Sequence, residues 1–325
     1  MNEFKPASGL HNRHLQTLYS TLFRKCPLKN FDIEKFELSD GDFVDCYWLQ
    51  KPPTNTYKPI VVLFHGLTGS FQSSYIQGMM RHLDSLGYYC VLMHFRGCAL
   101  RLNRSAKAYH AGDTADAIAW AKHLREQYPN SSLFAIGYSL GANMLLNLLA
   151  QLNTNCPFKA AVAVSGPLEL AVSAATLKTG FAKIYQRHLL KALKKSLLKK
   201  YAFHDYLALI NLSKEQVRAF DSIEQFDDLF TAKIHGFSSA KEYYKKCSAK
   251  QYLGEISIHT LIINALDDPF MKPEALPLPS TLTNNICLET PEHGGHLGFI
   301  SGSIFKPQYW LEKRISCYFE AVAVK

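Results

Sequence analysis

"SLFAIGYSLGANMLLNLLA", Ser132 to Ala150, runs from a short apolar segment through a serine set between two glycines into a second apolar segment. The first part reads as a strand buried on both faces, and the residues after Leu140 read as a buried helix. A sharp strand-to-helix turn lifts Ser139 clear of a sheet and forces unusual dihedrals on it, while Gly137 and Gly141 remove side chains that would collide. A helix beginning at Leu140 also aims its free N–H groups at whatever reacts beside Ser139. Taken alone, a glycine-flanked serine fits an ordinary capped turn equally well, so its surroundings must decide.

Working outward, "IEKFELSDGDFVDCYWL" from Ile33 predicts an antiparallel hairpin turning on "SDGD". "PIVVLFHG" and "YYCVLMHF" are buried strands separated by a helix over Tyr75 to Leu86 that Gly87 closes. A helix over Asp113 to Tyr128 precedes the opening stretch, and "AAVAVSG", "IHTLIIN" and "NICLET" follow it as strands before a terminal amphipathic helix around "WLEKRISCYFEAV". Alternating strands and helices predict an α/β fold with a mostly parallel, doubly wound sheet. Residues 167–251 carry no convincing strand and read as a helical insertion over the sheet's carboxyl edge. The expected organisation is an N-terminal arm (1–30), a core (31–166 and 252–325) and that insertion.

A serine hydroxyl is a weak nucleophile at neutral pH and needs a base within hydrogen-bond reach. In the chain order Ser, acid, His, the acid follows a late strand and the histidine the next one. "LIINALDDPF" offers Asp267 and Asp268. Asp267 sits where a GxxD turn places its acid, with Asn264 in the glycine position, and is the expected partner; Asp268, before Pro269, reads as a supporting cap. "ICLETPEHGGHLGF" offers His296 in a loop whose Gly294, Gly295 and Gly298 permit close approach, with His293 as a surface residue. "FHGLTGS" (64–70), with His65 and Gly66, follows the first parallel strand, where the second donor to an oxyanion belongs. The amides of Leu67 and Leu140 are the expected pair. In this scheme His296 takes the Ser139 proton and Asp267 orients its ring.

With these residues the chain resembles the YheT-like α/β hydrolases, a bacterial family similar to ABHD-type esterases and lipases. The resemblance runs through "HLQT" (14–17), "HGLTGS", "FRGC" (95–98), "YHAGDTAD" (109–116), "GYSLGAN", "FDDLFTAKIHGF" (226–237), "ALDDPF" and "GGHLGF". It implies an α/β-hydrolase fold, serine carboxylic-ester hydrolysis, and a triad on Ser139, Asp267 and His296. The chain departs from the family pattern in "NRHLQT", where a proline commonly precedes His14, and at Leu100. Within "FRGC", Arg96 reads as a loop fastener and Cys98 as a small packing group rather than a nucleophile. Asp113 and Asp116 read as acids of a first helical turn. An acyltransferase built on the same triad, or a non-catalytic membrane-associated binding protein of the same fold, are the competing readings.

The 325 residues, 47% of them apolar, can bury a sizeable core, and the apolar runs are too short to cross a bilayer. The N-terminus lacks the pattern of a secretory signal, so a cytoplasmic protein is expected. Eight scattered cysteines form no CxxC pair and no zinc spacing, so reduced thiols and no metal or organic cofactor are expected. The net charge of +9 lies largely in one segment, since eight Lys or Arg and no acid fall between Leu170 and His204. Without a recognised nucleic-acid module, that charge does not point to nucleic acid. "TLKTGFAKIYQRHLLKALKKSLLKKY" (176–201) predicts a basic amphipathic helix. It either covers the core as a lid or meets an anionic membrane through residues 178–200. Residues 167–251 are not enriched in aromatics, so composition gives no support for a long-chain specificity.

Overall fold

Turn chemistry at "SDGD" closes a hairpin of β1 (Asp32–Glu37) and β2 (Phe43–Trp48), with the Leu38 amide donating to the Asp42 carbonyl at 2.9 Å. Six apolar runs then become parallel strands: β3 (Ile60–Phe64), β4 (Tyr89–Met93), β5 (Leu133–Tyr138), β6 (Phe158–Val164), β7 (His259–Ile263) and β8 (Ile286–Glu289). They form one eight-stranded sheet in the order β1-β2-β4-β3-β5-β6-β7-β8, with antiparallel pairing only at β1–β2 and β2–β4. The computed structural model describes residues 3–24 and 27–323.

Crossover helices cover both faces, which is why the central strands are apolar at every position instead of alternating. The N-terminal arm contributes α1 (Arg13–Phe23), and the crossovers are α2 (Ser74–Ser85), α3 (Ala115–Gln127) and α4 (Leu140–Leu152). Trp120 and Leu124 of α3 and Leu145 and Leu149 of α4 fill one face. Met79 and Leu83 of α2, with Ile315 and Phe319 of the terminal helix Trp310–Ala323, fill the other. Because parallel strands end on the same side, the loops after β3, β5, β7 and β8 share one edge. That edge receives every candidate site residue.

Between β6 and β7 the described residues form helices and no strand. The basic segment is not one helix: α5 (Leu170–Leu177) ends before Gly180, which sits at φ +49°, and α6 (Ala182–Lys200) starts afresh. Nor is its apolar stripe wholly inward, since Phe181 and Ile184 are 46% and 52% exposed while Lys200 is buried. Among the described residues seven cysteines are unpaired, and Cys26 lies outside them.

The arm lies against the chain that follows His296. The Ala7 amide donates to the Ile300 carbonyl at 2.8 Å. Gln16, fully buried, donates to the carbonyls of Leu10 and Ile300 and accepts from the Ile300 amide, each within 3.0 Å. Asn12 caps α1 by accepting from the His14 and Leu15 amides.

Candidate active site

Ser139 stands at the end of β5 with φ 53° and ψ −120°, a region that β-carbon sterics disfavour by about 1–3 kcal/mol. The surrounding packing holds it there. A β-carbon on Gly137 would lie 2.4 Å from the Gly141 carbonyl oxygen, and one on Gly141 would lie 2.5 Å from that of His65, so only glycine closes this turn. The Ser139 amide is fixed by the Val164 carbonyl at 2.8 Å. Asn143 of the same motif, fully buried, donates to the carbonyls of Ala111 and Cys247 and accepts from the Ala249 amide. It thereby ties α4 to the insertion, a role the sequence reading did not assign.

From Ser139 Oγ a chain of hydrogen bonds leads inward. His296 Nε2 lies 3.0 Å from Ser139 Oγ, and His296 Nδ1 lies 2.9 Å from Asp268 Oδ2. Ser139 and His296 therefore lie within hydrogen-bond distance, and the carboxylate that reaches the imidazole is that of Asp268 and not that of the expected Asp267. The hydrogen-bonded turn runs from Ala265 to Asp268, one residue later than the GxxD reading places it. Its last side chain points inward, 2% exposed, with Oδ1 accepting from the Phe270 amide at 2.8 Å. Asp267 turns away, accepts from the Gly295 amide at 2.9 Å and faces His293 at 3.5 Å. Burial outweighs these contacts and raises its carboxyl above the ordinary range. An ionised Asp268 can only accept, so Nδ1 carries the imidazole proton and Nε2 is left to accept from Ser139.

Two groups missed in the sequence position that imidazole. Phe270 stacks on it, with centroids 3.9 Å apart and planes 3° from parallel, and Thr17 Oγ1 accepts from the His296 amide at 2.9 Å. Gly295 and Gly298 press on α1 so closely that a β-carbon would lie 2.5 Å from the Arg13 carbonyl oxygen or 2.4 Å from that of Gln16. Here lies the physical content of "HLQT": Gln16 and Thr17 hold the histidine loop. His14, on the same turn, reaches the Tyr185 hydroxyl of α6 at 3.1 Å.

The turn after β3 comes to the serine from the other side. A β-carbon on Gly66 would lie 3.1 Å from that of Ser139. In this turn the Gly66 amide donates to the Tyr75 hydroxyl, Thr68 to the Tyr109 hydroxyl and Gly69 to the Gly66 carbonyl. Among the described residues the Leu67 amide has no such partner, and neither has the Leu140 amide at the start of α4. His65 supports the turn as a neutral ring: Nδ1 donates to the Gly66 carbonyl, Nε2 accepts from the Phe95 amide, and burial pushes its pKa down to about 3. Such an imidazole holds structure and takes no proton near neutrality.

Arg96 grips both Asp116 oxygens at 2.7 Å and also bonds Asp40 and Asp42, fastening the "FRGC" loop to α3 and the β1–β2 turn. Burial pushes the Cys98 thiol up to about 12, which keeps it protonated. Among the described residues no group of three or more His, Cys, Asp or Glu is placed to hold a metal ion. A cavity of about 620 Å³ opens over Ser139 and His296; Leu177, Tyr185, Leu189, Leu193, Ile223 and Phe226 of the insertion give it an apolar wall.

A family model described as alpha/beta hydrolase fold matches residues 59–303. An esterase candidate of Escherichia coli (strain K12), YheT, is 42% identical over 96% of this chain and 92% of its own. Phospholipase ABHD3 of Mus musculus is 29% identical over 88% of this chain and 71% of its own. Among solved structures, the Pyrococcus furiosus esterase Pf2001 superposes with a TM-score of 0.55 at 18% identity, covering 90% of each chain. Est1E of Butyrivibrio proteoclasticus gives 0.53 at 12%, over 90% of this chain and 99% of its own.

Proposed function

Because the chain belongs to the α/β-hydrolase family, we propose that it is a serine hydrolase that cleaves carboxylic esters, acyl or lipid-like, through an acyl-enzyme on Ser139. The observation carrying this is the unbroken chain from Ser139 Oγ through His296 to a buried Asp268, beside the Leu67 and Leu140 amides, which have no partner among the described residues. His296 Nε2 takes the hydroxyl proton as Oγ attacks the ester carbonyl carbon, and the carbonyl oxygen becomes an oxyanion held by the Leu67 and Leu140 amides. Removing one such donor typically costs about 3 kcal/mol of transition-state stabilisation. The imidazolium, stabilised by Asp268, then gives its proton to the departing alcohol. Water repeats the sequence against the acyl-enzyme and releases the acid. Relatives named for esterase and phospholipase activities support this class.

The apolar insertion wall serves as a lid over the acyl group. A panel of p-nitrophenyl esters from acetate to palmitate, run beside Ser139→Ala, tests the mechanism: turnover should vanish in the variant, and turnover that survives refutes it. Hydrolysis competes with acyl transfer at such a site, and added acceptor alcohols separate them, because a transferase yields the new ester in place of free acid.

Membrane contact has its own support. Phe181 and Ile184 line the cavity yet are exposed, and Arg187, Lys191 and Lys195 continue the same exposed side of α6. Apolar residues at the mouth beside a cationic stripe match the chemistry of an anionic lipid surface. No helix among the described residues is long and apolar enough to cross a membrane, so the contact is peripheral. Co-sedimentation should be stronger with anionic than with neutral liposomes; equal binding to both removes this reading.

A further inference from the structure

The cavity that holds Ser139 is not apolar throughout. Part of its wall is made by Arg96, Gly97, Ala108 and Lys200. Arg96 there is fully engaged by three carboxylates. Lys200, the last residue of α6, is not. Only 3% exposed, it has no carboxylate within ion-pair distance among the described residues, and its Nζ donates to the carbonyls of Ser105 and Lys107 at 2.7 and 2.6 Å. An ammonium has three protons to donate, so one remains unassigned.

Those two carbonyls have a second donor beside the lysine. Asn103 Nδ2 gives one of its two protons to Asp42 at 2.6 Å and shares the other between them, at 3.2 and 3.0 Å. Asp42 is the acid whose charge favours the protonated lysine, but its oxygens are taken by Arg96, Asn103 and the amides of Phe43, Arg104 and Ser105. Burial pushes Lys200 down to about 8, so it is charged at neutral pH and under-compensated. Asp227, the acid that does line the cavity, is held by the Tyr244 and Thr231 hydroxyls, and burial raises it to about 7. A buried charge without a counter-charge is costly, and a ligand that supplies one recovers that cost.

We infer that Lys200 is an anion subsite of the substrate cavity, which takes a carboxylate or phosphate carried on the chain of the ester. This rests on the hydrolase reading above and deepens it: the favoured substrates are esters with a second, anionic group, and plain alkanoates fit less well. Hexanoate and adipate chains differ at their ends in this one respect.

The test compares p-nitrophenyl hexanoate with the p-nitrophenyl monoester of adipate, for an anion on the acyl side. Hexyl hexanoate and the hexanoyl ester of 6-hydroxyhexyl phosphate serve for one on the alcohol side. The quantity read is the ratio of kcat/KM, charged over neutral, so that general losses of folding or of Ser139 chemistry cancel. In the wild type the ratio should exceed about tenfold in at least one pair, the scale of a charge-assisted hydrogen bond, and should collapse towards one in Lys200→Met. Lys200→Arg should retain part of it. A wild-type ratio of one or less in both pairs, or a ratio unmoved by Lys200→Met, overturns the subsite.

Binding to the inactive Ser139→Ala protein, measured by titration calorimetry, separates this outcome from failure of the hydrolase reading. Hexyl phosphate should bind about tenfold or more tightly than hexanamide, and the difference should disappear when Lys200→Met is added. If the difference persists there, or is absent with Lys200 present, the subsite is refuted whatever the ester assays give.

Discussion

Replacing Asp268 with asparagine should cost far more than replacing Asp267, though the two are neighbours in sequence. Asp268 Oδ1 accepts from the Phe270 amide at 2.8 Å, so the asparagine must keep its carbonyl oxygen there and turn its NH₂ towards His296 Nδ1. The flipped rotamer would set NH₂ against an N–H donor. With NH₂ donating to Nδ1, the imidazole proton moves to Nε2, and that nitrogen, 3.0 Å from Ser139 Oγ, becomes a donor instead of a base. Trading the tautomer in this way costs roughly 10³ to 10⁴ in kcat, or about 4 to 5.5 kcal/mol of activation free energy. Asp267→Asn keeps an oxygen for the Gly295 amide and leaves the tautomer alone, so kcat/KM should stay within about tenfold. Steady-state ester hydrolysis, together with fluorophosphonate labelling of Ser139, measures both. A tolerated Asp268→Asn beside an inactive Asp267→Asn would refute the assignment.

Thr17→Val should lower kcat about tenfold with KM little changed, because it strips the acceptor from the buried His296 amide; Thr17→Ser should restore the rate, and equal rates in all three proteins would deny Thr17 a positioning role. Gly137→Ala should destabilise the fold by about 3 kcal/mol or more through its clash with the Gly141 carbonyl, whereas Gly254→Ala, which meets nothing within 4 Å, should leave the urea midpoint nearly unchanged. Acidification should weaken the fold. His65 and His110 are held down to about 3 and His94 and His235 to about 4 by burial, so each binds fewer protons folded than unfolded and loses stability as pH falls from 6.5. Asp113 and Asp227, raised to about 7, act oppositely: their contribution is present at low pH and lost as pH rises from 3.8 towards 7. Four groups against two give a net loss, and a urea midpoint that rises between pH 6.5 and 4.5 would contradict it.

Much was legible because it is local. Apolar runs of strand length, glycines where no β-carbon fits and the order Ser, acid, His are properties of short segments. They fixed the sheet, the turn at Ser139 and the pairing of Ser139 with His296. The ends of α2 and α3 moved by only a residue or two, the expected 75–86 being found as Ser74–Ser85, whereas the single helix expected over 176–201 is broken at Gly180.

What tertiary structure decided was direction and contact at long separation. Sequence placed two aspartates at one turn, but a single-residue step there turns a side chain from the Gly295 amide and His293 to the His296 ring, and only the fold says which one meets an imidazole 28 residues later. Likewise nothing local in "HLQT" reveals that Thr17 grips a loop 279 residues away, or that Lys200, in a stripe of exposed lysines, is the one turned inward. Periodicity reports a preference summed over a helix, whereas burial of one charge depends on which carbonyls the rest of the chain brings to meet it.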